Sequence, residues 1–302
     1  MKRSRTGVAI VFIIFIVVTF SLGLMTLSLF SSPGSGESLW SDLLESENKI
    51  AVLKVEGTIM SSDNLLKQLR KFSKKSSVKA ILLRINSPGG AVAPAQEIYR
   101  EIEKVKKKKP VVASIETLGT SAAYYIASRA DQVVCSRGTI TGSIGVIMML
   151  TEIRKAIEWL GVDVTVIKAG KYKDIGSAVR APTEEEKKIL NDFAKQIHEQ
   201  FIEDVAAARE GKIKIDKLRE VADGSFFTGE RALELGLVDS IGNFYDAVKV
   251  AAKLAKIEGQ PELVYPEKKW NTYVDYLLGS VLEVVNRATD RAHGINRPPS
   301  VR

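Results

Sequence analysis

Short apolar runs, too continuous to leave one face in water, recur along this chain with helical patterns between them. The runs are "KIAVLKVEG" (49–57), "KAILLRIN" (79–86), "PVVASIE" (110–116), "QVVCS" (132–136), "IGVIMML" (144–150) and "DVTVIKAG" (163–170). Each has strand length, and β-branched residues are frequent in them. Between them Leu65, Leu66, Leu69 and Phe72 form one helical stripe, and Ile98 and Ile102 mark a second. Ile153, Ile157 and Leu160 form a third, which Gly161 closes as a C-cap. Strands of this kind, separated by helices, predict an α/β core whose sheet is covered on both faces. After Pro182 the pattern turns mostly helical, with Thr183 as N-cap and acids in the first turn.

The N-terminus sets a second constraint. Gly7 to Phe30 carries no charge and would span about 36 Å as a helix, enough for a hydrocarbon core. The run exceeds a signal-peptide core, and "SLFSSPG" is a poor cleavage site, so an uncleaved transmembrane anchor is expected over a removed signal. Lys2, Arg3 and Arg5 precede the span, while Glu37, Asp42, Glu45 and Glu47 follow it. The positive-inside rule then puts the N-terminus in the cytoplasm and the body outside it. The expected plan is a cytoplasmic stub and anchor (1–30), a tether (31–48), one domain (49–258) and a tail (259–302) with an amphipathic pattern over 271–292. The last residues, from His293, have the composition of a disordered end.

Composition removes several functions. The net charge of +8 is partly local, in "MKRSR" and in Lys104 and Lys106 to Lys109, a solvated helix end without interleaved aromatics. No nucleic-acid partner is expected. The single cysteine, Cys135, allows no internal disulfide. His198 and His293 lie too far apart for a zinc spacing, so no metal or cofactor is expected.

Three turns of small residues each follow a strand-like run: "NSPGGAV" (86–92), "LGTSAAYY" (118–125) and "TITGSIGV" (139–146). Gly89 and Gly90 permit close backbone approach, and free N–H groups near a following helix suit an oxyanion; a plain strand-to-helix turn needs no more than the same residues. Ser121 stands at a helix start, either as an N-cap or as a nucleophile helped by the helix dipole and the Ala122 N–H. Neither histidine lies near these motifs in sequence, so a base for Ser121 would be a carboxylate or a lysine held neutral. "VIKAGKYKDIGSAVR" (166–180) offers Lys168, Lys171 and Lys173, and composition does not choose among them.

Taken together, the anchor, "INSPGG", "TSAAYYIAS", "TGSIGV", "AGKYKDIGS" and "ADGSFFTGERALELGLVDSIG" resemble the short form of the signal peptide peptidase A family over roughly 49–255. The resemblance implies the Clp protease/crotonase-like fold of stacked β-β-α units. It implies a Ser/Lys dyad with Ser121 as nucleophile, Lys173 as general base and Ser143 orienting the lysine. The oxyanion donors would be backbone N–H groups of Gly89 or Gly90 and of Ala122. It also implies a homo-oligomeric ring or dome, in which the dyad can be completed between neighbours, and remnant signal peptides as substrates. The location would be a bacterial cytoplasmic membrane. Alanines stand at 122 and 123 where glycines often follow the serine. Two rivals stay open: a silent peptide-binding scaffold of the same fold, and an acyl-CoA enzyme of crotonase type.

Overall fold

The structure, a computed structural model, describes residues 48–267. The expected anchor and the tail pattern over 271–292 lie outside these residues, as does all of the tether but residue 48. No helix among the described residues is long and apolar enough to cross a membrane.

The first half alternates as expected through β1 (Lys49–Glu56), α1 (Asp63–Lys74), β2 (Val78–Ser87), α2 (Val92–Lys106), β3 (Val111–Thr120), α3 (Ala122–Ser128) and β4 (Gln132–Cys135), and a short strand β5 (Ile140–Gly142) forms where the sequence reads as a turn. A short helix α4 (Arg154–Trp159) follows, then α5 (Glu184–Ala208), α6 (Ile215–Val221), β6 (Phe226–Thr228), α7 (Gly229–Glu234), β7 (Ser240–Ile241), α8 (Phe244–Leu254) and β8 (Glu262–Val264). The strands form one mixed sheet in the order β6-β5-β3-β2-β1-β8, with β4 on β3 and β7 on β4. All pairs are parallel except β5 with β6. This mixed α/β arrangement is consistent with a Clp protease-like domain.

The continuous apolar runs have the expected cause. Along β1, Ala51, Leu53 and Val55 face α1 and α2, while Ile50 and Val52 face Ala247, Val248, Ala251 and Ala252 of α8. Both faces of the sheet are buried, so no polar alternation survives in the sequence. Strand β3 is used twice: Val112 to Ile115 pair with β4, and Leu118 to Thr120 pair with β5. This split holds the end of β3, just before Ser121, between the SPGG turn and the Ser143 turn.

Helix α5 is fixed at both ends. Thr183 Oγ1 accepts from the Glu186 N–H at 3.2 Å, and Glu186 Oε2 accepts from the Thr183 N–H at 2.8 Å, a capping box. At the far end Arg209 is fully buried. Its guanidinium donates to Gly236 O at 3.0 and 2.8 Å and to both oxygens of Asp239 at 2.8 and 3.0 Å. Asp239 also accepts from the Val133 N–H at 2.7 Å, joining α5 to the start of β4.

Two expected strands do not form. Residues 144–150 and 163–170 are irregular, and α4 between them buries no residue. Ile147, Trp159 and Ile167 are 83, 86 and 95% exposed. Ile144 is buried in the core, but beyond it the apolar spacing of the two runs meets neither a neighbouring strand nor a core within one chain. The segment 146–173 is an apolar arm standing off the body.

Candidate active site

The three small-residue turns meet. Thr120 Oγ1 donates to Pro88 O at 3.1 Å, Thr141 Oγ1 donates to Gly119 O at 2.8 Å, and the Ser121 N–H donates to Gly142 O at 2.8 Å. A Cβ on Gly89 would lie 2.8 Å from Ser121 Cβ and 2.9 Å from the Ala122 nitrogen, so glycine is what lets the SPGG turn lie against Ser121. On the other side the Ser143 N–H donates to Ser225 O at 2.8 Å.

Ser121 sits between β3 and α3 with φ 53° and ψ −127°. A serine adopts such a positive φ at a cost of about 1–3 kcal/mol, which the braced turns offset. The hydroxyl does not cap α3. Position fits the N-cap reading, but the side chain does not serve it. Ser143 shares the strain, with φ 51°.

A cavity of about 520 Å³ opens at this junction. Ser121, Ser143, Gln96 and Asp223 line it with polar side chains beside the backbone of Gly90 and Ala122, and Val92, Ala95, Ile147, Ile197 and Phe201 supply apolar wall; the Asp223 carboxylate accepts from the Ser225 N–H at 2.9 Å. Tyr125 completes the floor, stacked edge-on with Phe201 at 5.0 Å and hydrogen-bonded to Asp204. Burial and that acceptor both push its phenol up, so it stays protonated. Among the described residues the N–H groups of Gly90 and Ala122 have no hydrogen-bond partner, whereas the Gly89 N–H donates to Ser87 Oγ at 3.1 Å. Of the two candidate glycines, Gly90 has the free donor and lines the cavity.

His198, on α5, also lines the cavity. Distant in sequence from every motif, it is brought in by the helix packing against α3. Its Nε2 lies 3.2 Å from Ile144 O, which also accepts from the Gly224 N–H at 3.1 Å. The ring therefore braces the Ser143 turn and makes no bond to Ser121. Its neighbour Ile197 and Phe201, one helical turn further on, were the available signal: a histidine beside an apolar stripe.

Lys173 is not brought to Ser121 within the chain. It is exposed, does not line the cavity, and its ammonium has no ion pair or hydrogen bond among the described residues. Lys168 pairs with Asp174, and Lys171 pairs with Glu185 at 2.5 Å. The structure thus separates three lysines that composition leaves equal: two are occupied and one is not. No group of three or more metal-ligating side chains occurs among the described residues.

Comparison with known proteins gives a consistent picture. Residues 103–258 match the model of peptidase family S49, and residues 35–137 match that of Clp protease. A putative protease of Synechocystis sp. is 40% identical over 222 residues, covering 73% of this chain and 79% of that protein. A putative protease of Methanocaldococcus jannaschii is 42% identical over 201 residues, 67% of this chain and 63% of that protein, under two thirds of its length. A putative signal peptide peptidase SppA of Enterococcus faecium is 34% identical over 234 residues, 73% of this chain and 67% of that protein.

Proposed function

The chain belongs to peptidase family S49, among signal peptide peptidase A-like proteins, and is a serine peptidase; on that premise we propose that Ser121 is its nucleophile and Lys173 of a neighbouring copy its general base. One observation carries the assignment of Ser121: a strained serine at the cavity, flanked by the unpartnered N–H groups of Gly90 and Ala122. The assignment of the base to a neighbour rests on the exposure of Lys173 and on the apolar arm that leads to it. An arm with this much apolar surface in water is a surface for self-association. A ring or dome of such copies, built from stacked β-β-α units, would seat each arm on the next body.

In that assembly the neutral lysine takes the Ser121 proton as Oγ attacks a peptide carbonyl. The oxyanion lies against the Gly90 and Ala122 N–H groups, which are set before the reaction and need no reorganisation. The lysine, now an ammonium, gives its proton to the departing amine. It then takes a proton from water, which attacks the acyl-enzyme, and returns that proton to Ser121 Oγ as the ester bond breaks, restoring the hydroxyl and the neutral amine. Ser143, beside Ser121 in the cavity, orients the lysine amine. Gly89 holds the turn in place and leaves the donor role to Gly90. Apolar walls favour apolar substrate residues. With an anchor at 7–30 the natural substrates are remnant signal peptides and other peptides near the membrane.

The test is mass spectrometry of the full chain, in detergent, after reaction with a fluorophosphonate probe. The expected result is one adduct on Ser121 that is absent in Lys173→Ala. An unlabelled Ser121 in the assembled protein would refute the assignment and favour the silent scaffold.

A further inference from the structure

A lysine serves as a base only when it is neutral, and a carboxylate paired to it favours the charged form. Lys173 is followed directly by Asp174, and the turn lies against the acidic first turn of α5, Glu184 to Glu186. A lysine in that setting would be expected to find an acid. Asp174 and the three acids of that first turn are instead each held by another group.

Asp174 Oδ1 takes the Lys168 ammonium, and Asp174 Oδ2 takes Arg180 Nε at 2.7 Å. The Arg180 fork continues onto Glu186, with Nη1 to Oε2 at 2.7 Å and Nη2 to Oε1 at 2.5 Å. Glu185 is shared by Lys171 Nζ at 2.5 Å and the Tyr172 hydroxyl. Glu184 pairs with Lys187 at 2.7 Å. Glu152, on the strip beside Gly176 and Arg180, pairs with Arg154 at 3.2 Å. Hydrogen bonds from Arg180 and Lys168 hold the Asp174 carboxyl well below the usual range, and Arg180 with the Thr183 N–H brings Glu186 down to about 2. Both acids stay ionised and paired through the working pH of a peptidase.

Arg180 does two things here. It ties the lysine-bearing turn to the capped start of α5, since Glu186 is also the capping-box residue. It also occupies the acid next to Lys173. We propose that Arg180 and Lys168 are positioning residues that sequester the Asp174 carboxylate, so that the adjacent Lys173 reaches the neighbouring active site unpaired and free to lose its proton. This rests on Lys173 being the base.

The test is the pH dependence of peptide hydrolysis by the full-length assembled enzyme as wild type, Arg180→Met, Lys168→Met and the double variant Arg180→Met/Asp174→Asn. Releasing Asp174 should move the acidic limb of kcat/KM upward by about one pH unit in Arg180→Met, and less in Lys168→Met, because an opposite charge brought close shifts titration by about 1–3 units. Removing the released charge in the double variant should bring the limb back to the wild-type position. The proposal is overturned if Arg180→Met lowers activity equally at every pH, or if the double variant does not restore the limb. Should Arg180→Met fail to assemble, Lys168→Met decides alone, and an unmoved limb there overturns the proposal. Lys173→Ala is measured alongside: retained activity would refute the base assignment itself, a result distinct from a clamp without effect.

Discussion

Mixing two dead variants tests the borrowed base directly. Ser121→Ala removes the nucleophile and Lys173→Ala removes the base, and each pure protein should lose activity by several powers of ten. Within one chain the cavity holds Ser121 without Lys173, and Ile147, Trp159 and Ile167 on the arm are open to a neighbour. In a closed ring every site takes its serine from one copy and its lysine from the next. After random 1:1 mixing, a site is whole when its serine comes from a Lys173→Ala copy and its lysine from a Ser121→Ala copy. Each condition is met half the time, so about one quarter of sites regain a full dyad. The assay is peptide hydrolysis per mole of chain after co-expression, with native mass spectrometry to verify that the two variants share assemblies. About a quarter of wild-type activity supports a dyad completed in trans. No gain over the parents, in assemblies shown to be mixed, would refute it and require the arm to fold back onto its own body.

Gly89→Ala should lower kcat by about 10²–10³, the cost of losing an oxyanion donor, since its Cβ would press on Ser121 and the Ala122 nitrogen; steady-state kinetics on the assembled variant would show it. Arg209→Met should destabilise the body by about 3–5 kcal/mol, because Asp239 would stay buried with Lys212 as its remaining charge partner; denaturant unfolding reads this. Burial alone would raise the Asp239 carboxyl, but the Arg209 hydrogen bonds and charge more than offset this and hold it low. Its stabilisation is therefore full above the unfolded value of about 3.9 and lost as pH falls through the lower folded value, so melting points should drop below about pH 4, less steeply in Arg209→Met. Cys135 is buried and its thiol is pushed up to about 11 by burial, so iodoacetamide at pH 8 should label it only after unfolding.

The sheet was legible where both faces of a strand are buried in its own chain. The runs at 49–57, 79–86, 110–116 and 132–136 each contain a strand, because their apolar residues answer to α1, α2 and α8. The runs at 144–150 and 163–170 carry the same signal and form none. Periodicity reports that a face needs burying, and it does not say whether the cover comes from the same chain. The Thr183 cap was readable because its partner, Glu186, is local. Arg209 was not, because a buried cation needs an anion that sequence does not locate, and Asp239 lies on another segment. The small-residue turns could be seen as turns, but their meeting at one cavity depends on β3 serving two neighbours at once. His198 joins that cavity through helix packing alone. Among Lys168, Lys171 and Lys173 composition makes no distinction and the resemblance alone names Lys173; that Lys168 and Lys171 are paired depends on how the turn folds onto Asp174 and Glu185, which sequence does not locate.

The arm also bears on the life of the chain before it finds its fellows. A newly made copy has a strained serine and ready donors, yet no lysine among the described residues at its cavity. If the base is borrowed as proposed, such a copy would be a zymogen without a propeptide. Its activation is a matter of concentration: dilution should silence the enzyme and crowding should awaken it, with no bond cut.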